Sequence, residues 1–413
     1  MLSRSLASVS IGLVLAVSGC GGGGDDGVSS TQAAATTPTA PTTPASPASP
    51  TPSPSPTPTP TPEPSNPPAG SNADAHTLIL VGNDSLTDGA GGSNWRKYFV
   101  QSVRGGLGDG GPGYHGFDVS TATDQAAVFA KTADLTRIQI DDANGKLSLD
   151  GRGVAVSAGD GTTNFTWKPA SLWAKAKVFY LKQPGGGTMK CRNYGQPESA
   201  GISIDTSAAA NTLATLDLDY QAVTNGGTVG CWNITGKVTV FGALFSLGST
   251  GLQMGNLGKG GRTLQQVQEQ DSDMRKQWFA ALKPAYYLIN AGMNDRVTRT
   301  AAQHEADLRA ITQDVKAASP TTKIVIVQSS EPSDAATTYF LSYTPKKQSV
   351  ASDIGATYFD LRNVTGSYSH AVASGYMFDV VHPNDVANKL IGPFIAQQLG
   401  LQSSVADPGA TPY

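Results

Sequence analysis

Two textures of apolar and polar positions alternate along this chain. Leu78-Ile79-Leu80-Val81 is an unbroken apolar run that closes at once on Gly82-Asn83-Asp84-Ser85, the pattern of a buried strand ending in a turn. Beyond Gly251 such runs recur with helical stretches between them. Residues 262–282 carry a helical pattern, 285–290 a strand, 299–318 a helix, 323–328 a strand, 339–354 a helix, 358–361 a strand and 385–399 a helix. Buried strands alternating with helices predict an α/β domain with a doubly wound parallel sheet covered on both faces. From Phe117 to Leu247 the texture changes. Short apolar or alternating runs at 135–140, 146–149, 153–156, 177–181, 213–218 and 237–244 are separated by Gly, Asn, Asp and Thr clusters. Many short strands with turn signals between them predict an all-β sandwich or jelly roll.

The first strand of the α/β pattern lies before the β-rich stretch and the others after it. The α/β domain is therefore expected to be discontinuous, residues 75–104 plus 248–402, with 105–247 inserted and 403–413 as a tail. Trp95, Tyr98, Phe99 and Val103 fall at helical spacing after the Ser85 turn. The glycine-rich passage 105–114 lacks the strand-then-helix context of a dinucleotide fingerprint and reads as turns.

The N-terminus changes the picture. Arg4 precedes a mostly apolar stretch, 6–17, too short to span a bilayer, which ends in Leu15-Ala16-Val17-Ser18-Gly19-Cys20. Small residues before a cysteine here resemble the lipobox of bacterial lipoproteins. The resemblance implies a signal peptide over 1–19, lipidation of Cys20 and a membrane anchor. Gly21, rather than Asp, next to the cysteine points by analogy to the outer membrane, on its periplasmic or outer face. Ordinary signal-peptide cleavage is the alternative. Residues 20–74 read as a tether, with more than half of the chain's 26 prolines between Pro38 and Pro68. Fully polyproline-like, some fifty such residues reach about 150 Å. Cys191 and Cys231 remain, and an even pair in an exported protein predicts one disulfide, two buried free thiols being the alternative. A net charge of −3 without a basic block argues against nucleic acid. No His/Cys/Asp spacing suggests a metal site, and no cofactor is implied.

Four stretches carry the candidate chemistry. They are Gly82–Gly89 with Ser85; Asn256-Leu257-Gly258-Lys259-Gly260-Gly261-Arg262-Thr263; Gly292-Met293-Asn294-Asp295; and Asp379-Val380-Val381-His382-Pro383-Asn384-Asp385. Each alone has an ordinary structural reading, as a turn or a helix start. A serine hydroxyl needs a base to become a nucleophile, His382 can supply it, and Asp379 can orient the imidazole. The N–H groups of Ser85 and Gly261 and the Asn294 amide can meet the charge that builds on a carbonyl oxygen. Together, and in this order, the four stretches resemble the blocks of the SGNH/GDSL hydrolases. The resemblance implies a flavodoxin-like three-layer fold, with Ser85, His382 and Asp379 catalytic and Ser85, Gly261 and Asn294 forming the oxyanion hole. Gly258 and Gly260 lie close to Gly261, which the GxT register favours. Asn83 departs from the family pattern, which reads Gly-Asp-Ser directly.

A β-rich insert between the Ser and Gly blocks resembles that of bacterial peptidoglycan-type O-acetylesterases. The resemblance implies removal of O-acetyl groups from an acetylated cell-envelope or extracellular polysaccharide. Polysaccharide O-acetyl transfer, another SGNH esterase or lipase activity, and a glycan-binding lipoprotein with a vestigial hydrolase domain are the alternatives. His115 is a candidate substrate contact, whereas His304 reads as lying on a polar helix face. Trp167, Trp173, Tyr180, Tyr194, Tyr220 and Trp232 read as core, one or two of them able to form a sugar-stacking platform.

Overall fold

The computed structural model describes residues 75–89, 94–117, 128–132, 135–169, 171–193, 196–219, 227–333 and 337–409. The expected signal peptide, Cys20 and the tether lie outside these residues, as do Tyr194 and Tyr220. In chain order β1 (Ala75–Asn83) leads through a one-turn helix α1 (Ser85–Asp88) to α2 (Trp95–Leu107). Then come β2 (Gly113–Gly116), β3 (Val128–Lys131), β4 (Thr136–Arg137), β5 (Val154–Lys168), β6 (Lys175–Lys182), β7 (Thr188–Asn193), β8 (Ile202–Asp205), β9 (Thr212–Asp219) and β10 (Val229–Ser246). The last part holds β11 (Thr250–Asn256), α3 (Leu264–Gln268), α4 (Ser272–Leu282), β12 (Tyr286–Asn290), α5 (Ala301–Ala318), β13 (Lys323–Gln328), α6 (Thr337–Ile354), β14 (Thr357–Asp360), α7 (Arg362–Thr365), α8 (Tyr368–Ala373) and α9 (Asp385–Gln398).

Five strands form a parallel sheet in the order β11-β1-β12-β13-β14. Because successive strand residues face opposite sides, the unbroken apolar runs feed two cores at once. Leu78, Leu80, Tyr287, Ile289, Ile324 and Ile326 pack towards α3, α4 and α5. Ile79, Val81, Tyr286, Leu288, Val325 and Val327 pack towards α2 and α9. This is the expected three-layer α/β fold. Leu80→Ala would cost roughly 2–5 kcal/mol, since the site is fully enclosed. α9 approaches α2 closely at Gly392, where a Cβ would stand 2.5 Å from the Phe99 nitrogen.

The edge strand β11 was not expected. Its sequence, TGLQMGN, has neither an apolar run nor clean alternation, yet it pairs with β1 from Ala75↔Thr250 to Val81↔Asn256. Its buried Gln253 is accommodated because Nε2 donates to Ser246 Oγ (2.8 Å) and to the Gly110 carbonyl (3.1 Å). The helical pattern over 262–282 is two helices. Asp271 interrupts it by capping α4, accepting from the Met274 N–H at 2.8 Å. The passage expected as turns over 105–114 holds the end of α2, which runs to Leu107, and the start of β2.

The β-rich stretch forms one antiparallel sheet of nine strands among the described residues. Its axis is β10, which pairs with β5 and β7 from Val229, with β7 to Thr235 and β5 to Val240, and then with β6 and β2 towards Ser246, with register shifts between Cys231 and Gly242. Phe117, Phe165, Trp167, Trp173, Val178 and Phe245 fill its core. The strand expected over 146–149 is instead a 3-10 turn, Gly145–Leu147. β7 and β8 were not expected, because the inward positions of β7 are Met189, Cys191 and Asn193, a weak apolar signal. Cys191 and Cys231 pair directly across β7 and β10 and form the expected disulfide. Closing a loop of 40 residues in sequence contributes on the order of 3–4 kcal/mol in the chain-entropy picture. The sheet also packs on the α/β layer: Phe179 and Tyr114 meet the Trp278 ring of α4 at 4.8 and 5.5 Å between centroids.

Candidate active site

All five central strands are parallel, so the loops after β1, β11 and β12 emerge at one sheet edge. There the Ser85, Gly261 and Asn294 stretches meet. β1 continues through Asn83, which pairs with Asn290. The residue that departs from the family pattern is thus absorbed by the strand, and its carbonyl accepts from the Lys259 N–H at 3.1 Å. Asp84 caps the one-turn helix that follows, accepting from Leu86 N–H at 3.1 Å. Its second carboxylate oxygen has no hydrogen-bond partner among the described residues. Complete burial raises the Asp84 pKa to about 7, against the opposing pull of the Leu86 N–H and Lys347. Buried Arg96 of α2 donates to the Thr87 carbonyl at 2.9 Å, satisfying an acceptor that so short a helix leaves open.

Ser85 therefore opens α1, and its Oγ lies 2.8 Å from His382 Nε2. His382 Nδ1 lies 2.8 Å from Asp379 Oδ2. A carboxylate can only accept, so Nδ1 carries the proton and Nε2 is left to accept from the serine hydroxyl. The other Asp379 oxygen accepts from the Val381 and His382 N–H groups at 2.8 and 2.7 Å. Burial alone would raise the Asp379 pKa, but the His382 ring and these two N–H groups outweigh it and hold it below the usual carboxylate value. Asn384 anchors the loop to α9, accepting from Val386 N–H at 2.9 Å and donating to the Gly375 carbonyl at 2.7 Å.

The proposed oxyanion donors are placed by elimination as well as by position. Between Gly258 and Arg262, four N–H groups are occupied: Gly258 by Asn256 Oδ1, Lys259 by the Asn83 carbonyl, Gly260 by Asp88 Oδ2 and Arg262 by the Lys259 carbonyl. Gly261, at φ +76°, has no such partner among the described residues. The Ser85 N–H is likewise unoccupied. Asn294 Nδ2 spends one hydrogen on the Arg262 carbonyl at 3.0 Å, which ties it to the Gly261 loop and leaves the other available. Asp295 accepts from Leu264 N–H at 2.9 Å, and Met293 packs against Leu86 beside the serine.

The expectations for His115 and His304 fall away. His115 is buried against Trp167 and Phe245, so it cannot contact substrate; desolvation lowers its pKa to about 4. His304 is fully buried and stacked on Tyr343 at 4.2 Å, not on a polar face. Trp167, Trp173 and Tyr180 are core, and Trp232 is partly covered by Arg192, 4.8 Å from its ring centroid. Among the described residues no group of three or more His, Cys, Asp or Glu is placed to hold a metal ion.

Two basic residues of the site carried no signal in the sequence. Arg152, from the insert, reaches across to donate to Asp88 Oδ1 at 3.0 Å and to the Gly258 carbonyl at 2.5 Å. Lys347 of α6 lies buried beneath the Asn294 loop. An Arg after a turn and the second of two adjacent Lys in a helix are indistinguishable from solvated surface residues.

Residues 228–390 match the model of the GDSL-like Lipase/Acylhydrolase family. The match takes in Gly261, Asn294, Asp379 and His382, while Ser85 lies on the other side of the insert. A solved structure of a peptidoglycan O-acetylesterase superimposes with a TM-score of 0.63 at 15% identity, covering 78% of this chain and 90% of that one. A putative GDSL-like lipase from Parabacteroides merdae covers 37% of this chain and 74% of its own at 20% identity, TM-score 0.31. A family two carbohydrate esterase from Cellvibrio japonicus covers 67% and 99% at 10% identity, TM-score 0.27. No curated protein matches in sequence.

Proposed function

We propose that this chain, with its GDSL-like acylhydrolase segment, is a serine ester hydrolase acting through an acyl-enzyme, and that its substrates are O-acetyl groups on a cell-envelope or extracellular polysaccharide. The observation that carries the hydrolase reading is the relay of two 2.8 Å contacts, Ser85 Oγ to His382 Nε2 and His382 Nδ1 to Asp379. In this reading His382 takes the Ser85 proton as Oγ attacks the ester carbonyl. The negative charge on the carbonyl oxygen is met by the N–H groups of Ser85 and Gly261 and by the Asn294 amide, each donor contributing roughly 10²–10³ in rate. The imidazolium, stabilised by Asp379, then returns its proton to the leaving alcohol. Water attacks the acyl-enzyme by the same steps and releases the acid.

Ser85→Ala should lower release of p-nitrophenol from p-nitrophenyl acetate by more than about 10³-fold with circular dichroism unchanged; undiminished release would overturn the reading. The polysaccharide part is supported by the structural likeness to a peptidoglycan O-acetylesterase, which extends over most of both chains. Its test is acetate release from O-acetylated glycans, set against the same ester chemistry on p-nitrophenyl substrates of longer acyl chain. Anchoring at Cys20, by acyl chains in the outer membrane, belongs to the same proposal. A long tether there would raise the enzyme's effective concentration on an immobile substrate, and the mass of the mature N-terminal peptide checks it.

A further inference from the structure

α6 sends one basic side chain into the interior beneath the active-site loops. Lys347 is 1% exposed, and its Nζ donates to the Ala291 carbonyl and, at 3.0 Å, to the Val327 carbonyl. These carbonyls sit at the carboxyl ends of neighbouring strands β12 and β13. The next residue, Gly292, has φ +115°, and a Cβ built on it would stand 3.4 Å from Lys347 Nζ and 3.2 Å from the Tyr343 ring. The turn that carries Asn294 therefore rests directly on the ammonium group. Three carboxylates act on that charge, Asp295, Asp84 and Asp360. Asp295 holds the Leu264 and Gln265 N–H groups at the start of α3, just after Gly261. Asp84 immediately precedes Ser85 and caps its helix. Burial pushes the Lys347 ammonium down to about 8, with Asp295, Asp84 and Asp360 opposing. A single enclosed cation thus bears directly on the Asn294 turn and faces, through the fields of Asp295 and Asp84, the stretches that carry Gly261 and Ser85.

A core position can be filled by Met or Leu without removing a charge from water, and a buried cation carries a large desolvation cost. We propose that Lys347 is a positioning residue that holds the Asn294 oxyanion donor in register with the Ser85 and Gly261 N–H groups, acting on the transition state and not on substrate binding. This inference rests on the esterase reading above. It extends that reading to a residue that touches neither substrate nor nucleophile.

The test is a double-mutant cycle of Lys347→Met with Asn294→Ala. Hydrolysis of p-nitrophenyl acetate is measured per serine titrated to completion with a phosphonofluoridate, so that unfolded protein is not counted. In the wild-type background Lys347→Met should lower kcat by about 10–100-fold with KM changed less than about twofold. In the Asn294→Ala background it should cost less than about threefold, because the donor it positions is gone. Lys347→Gln, which keeps a donor for one carbonyl, should fall between wild type and Lys347→Met. Equal losses in both backgrounds, or a loss confined to the number of titratable serines, would assign Lys347 to stability alone and overturn the inference. Failure of both Lys347 variants to fold would do the same. Wild-type protein without Ser85-dependent hydrolysis would overturn the esterase reading and this inference together, whereas active wild type and an equally active Lys347→Met would overturn the inference only.

Discussion

The Ser85 turn and the His382 loop supply the two halves of one proton relay, but they are built in opposite ways. Asp84 is fully buried and Ser85 is 8% exposed, with the enclosed guanidinium groups of Arg96 and Arg152 tied to the residues that follow. The His382 loop lies at the surface. The Asp379 side chain is 42% exposed, and its neighbours Phe378 and Val380 are 61% and 56% exposed. Local hydrogen bonds from Asp379 and Asn384 hold that loop in shape. Burial thus fixes Ser85 before substrate arrives, while His382 is carried on a short self-braced segment. Substitutions in the turn should spread into folding stability, and substitutions in the loop should stay confined to catalysis.

The largest effects test the loop side. His382→Ala should lower kcat by about 10⁴-fold or more, and Asp379→Asn by about 10²–10⁴-fold, since the amide disfavours the tautomer that Ser85 needs. Both should leave unfolding free energy within about 0.5 kcal/mol of wild type, as expected for positions outside the core. A large loss of stability in either, measured by urea denaturation, would break the contrast.

The opposite signature is expected of Asp84. The folded state keeps its proton up to about pH 7, whereas an unfolded carboxyl releases it near pH 4. Between those values the folded state binds more protons, so rising pH weakens folding across that window, and the contribution levels off above it. Asp84→Asn cannot titrate. Its stability relative to wild type should therefore rise between about pH 4 and 7 and stay flat beyond. Taking the difference between the two curves removes the contributions of His115 and His304, which run the other way because burial depresses both. A difference curve without slope would show that Asp84 ionises as freely in the folded protein as outside it.

The same contrast explains what could be read from the sequence. The apolar runs of β1, β12 and β13 are unbroken because both faces are covered, and Ser85 and His382 are each followed or preceded by polar signals that mark strand ends and helix starts. β11 escaped notice because it borrows its burial from β1 and from the hydrogen bonds of Gln253 and not from apolar side chains. β7 escaped because its inward positions include a cystine and an asparagine. Arg152 and Lys347 do their work through burial, which is a property of the assembled neighbourhood; an Arg between two glycines and a Lys beside Lys346 carry no trace of it. His304 was misplaced for a related reason. Its helix face looks polar from the residues around it, yet α6 covers that face with Tyr343.

The smallest expected effect sharpens the comparison most, because it asks what the exposed loop gains from its position. Phe378 and Val380 flank Asp379 and present apolar surface to solvent, where neither contributes to a buried core. Such surface costs little to replace, so Phe378→Ser and Val380→Ser should each change stability by less than about 0.5 kcal/mol. If substrate lies against the loop while His382 serves its leaving group, part of this surface is covered only in the complex. Covering some 30 Å² of apolar surface contributes about 0.7 kcal/mol, near a threefold change in affinity. KM for p-nitrophenyl acetate should then rise by up to about threefold in each variant with kcat unchanged, the signature of uniform binding lost. A fall in kcat at constant KM would mean instead that these side chains brace Asp379, and that the loop depends on its outer surface as the Ser85 turn depends on its core.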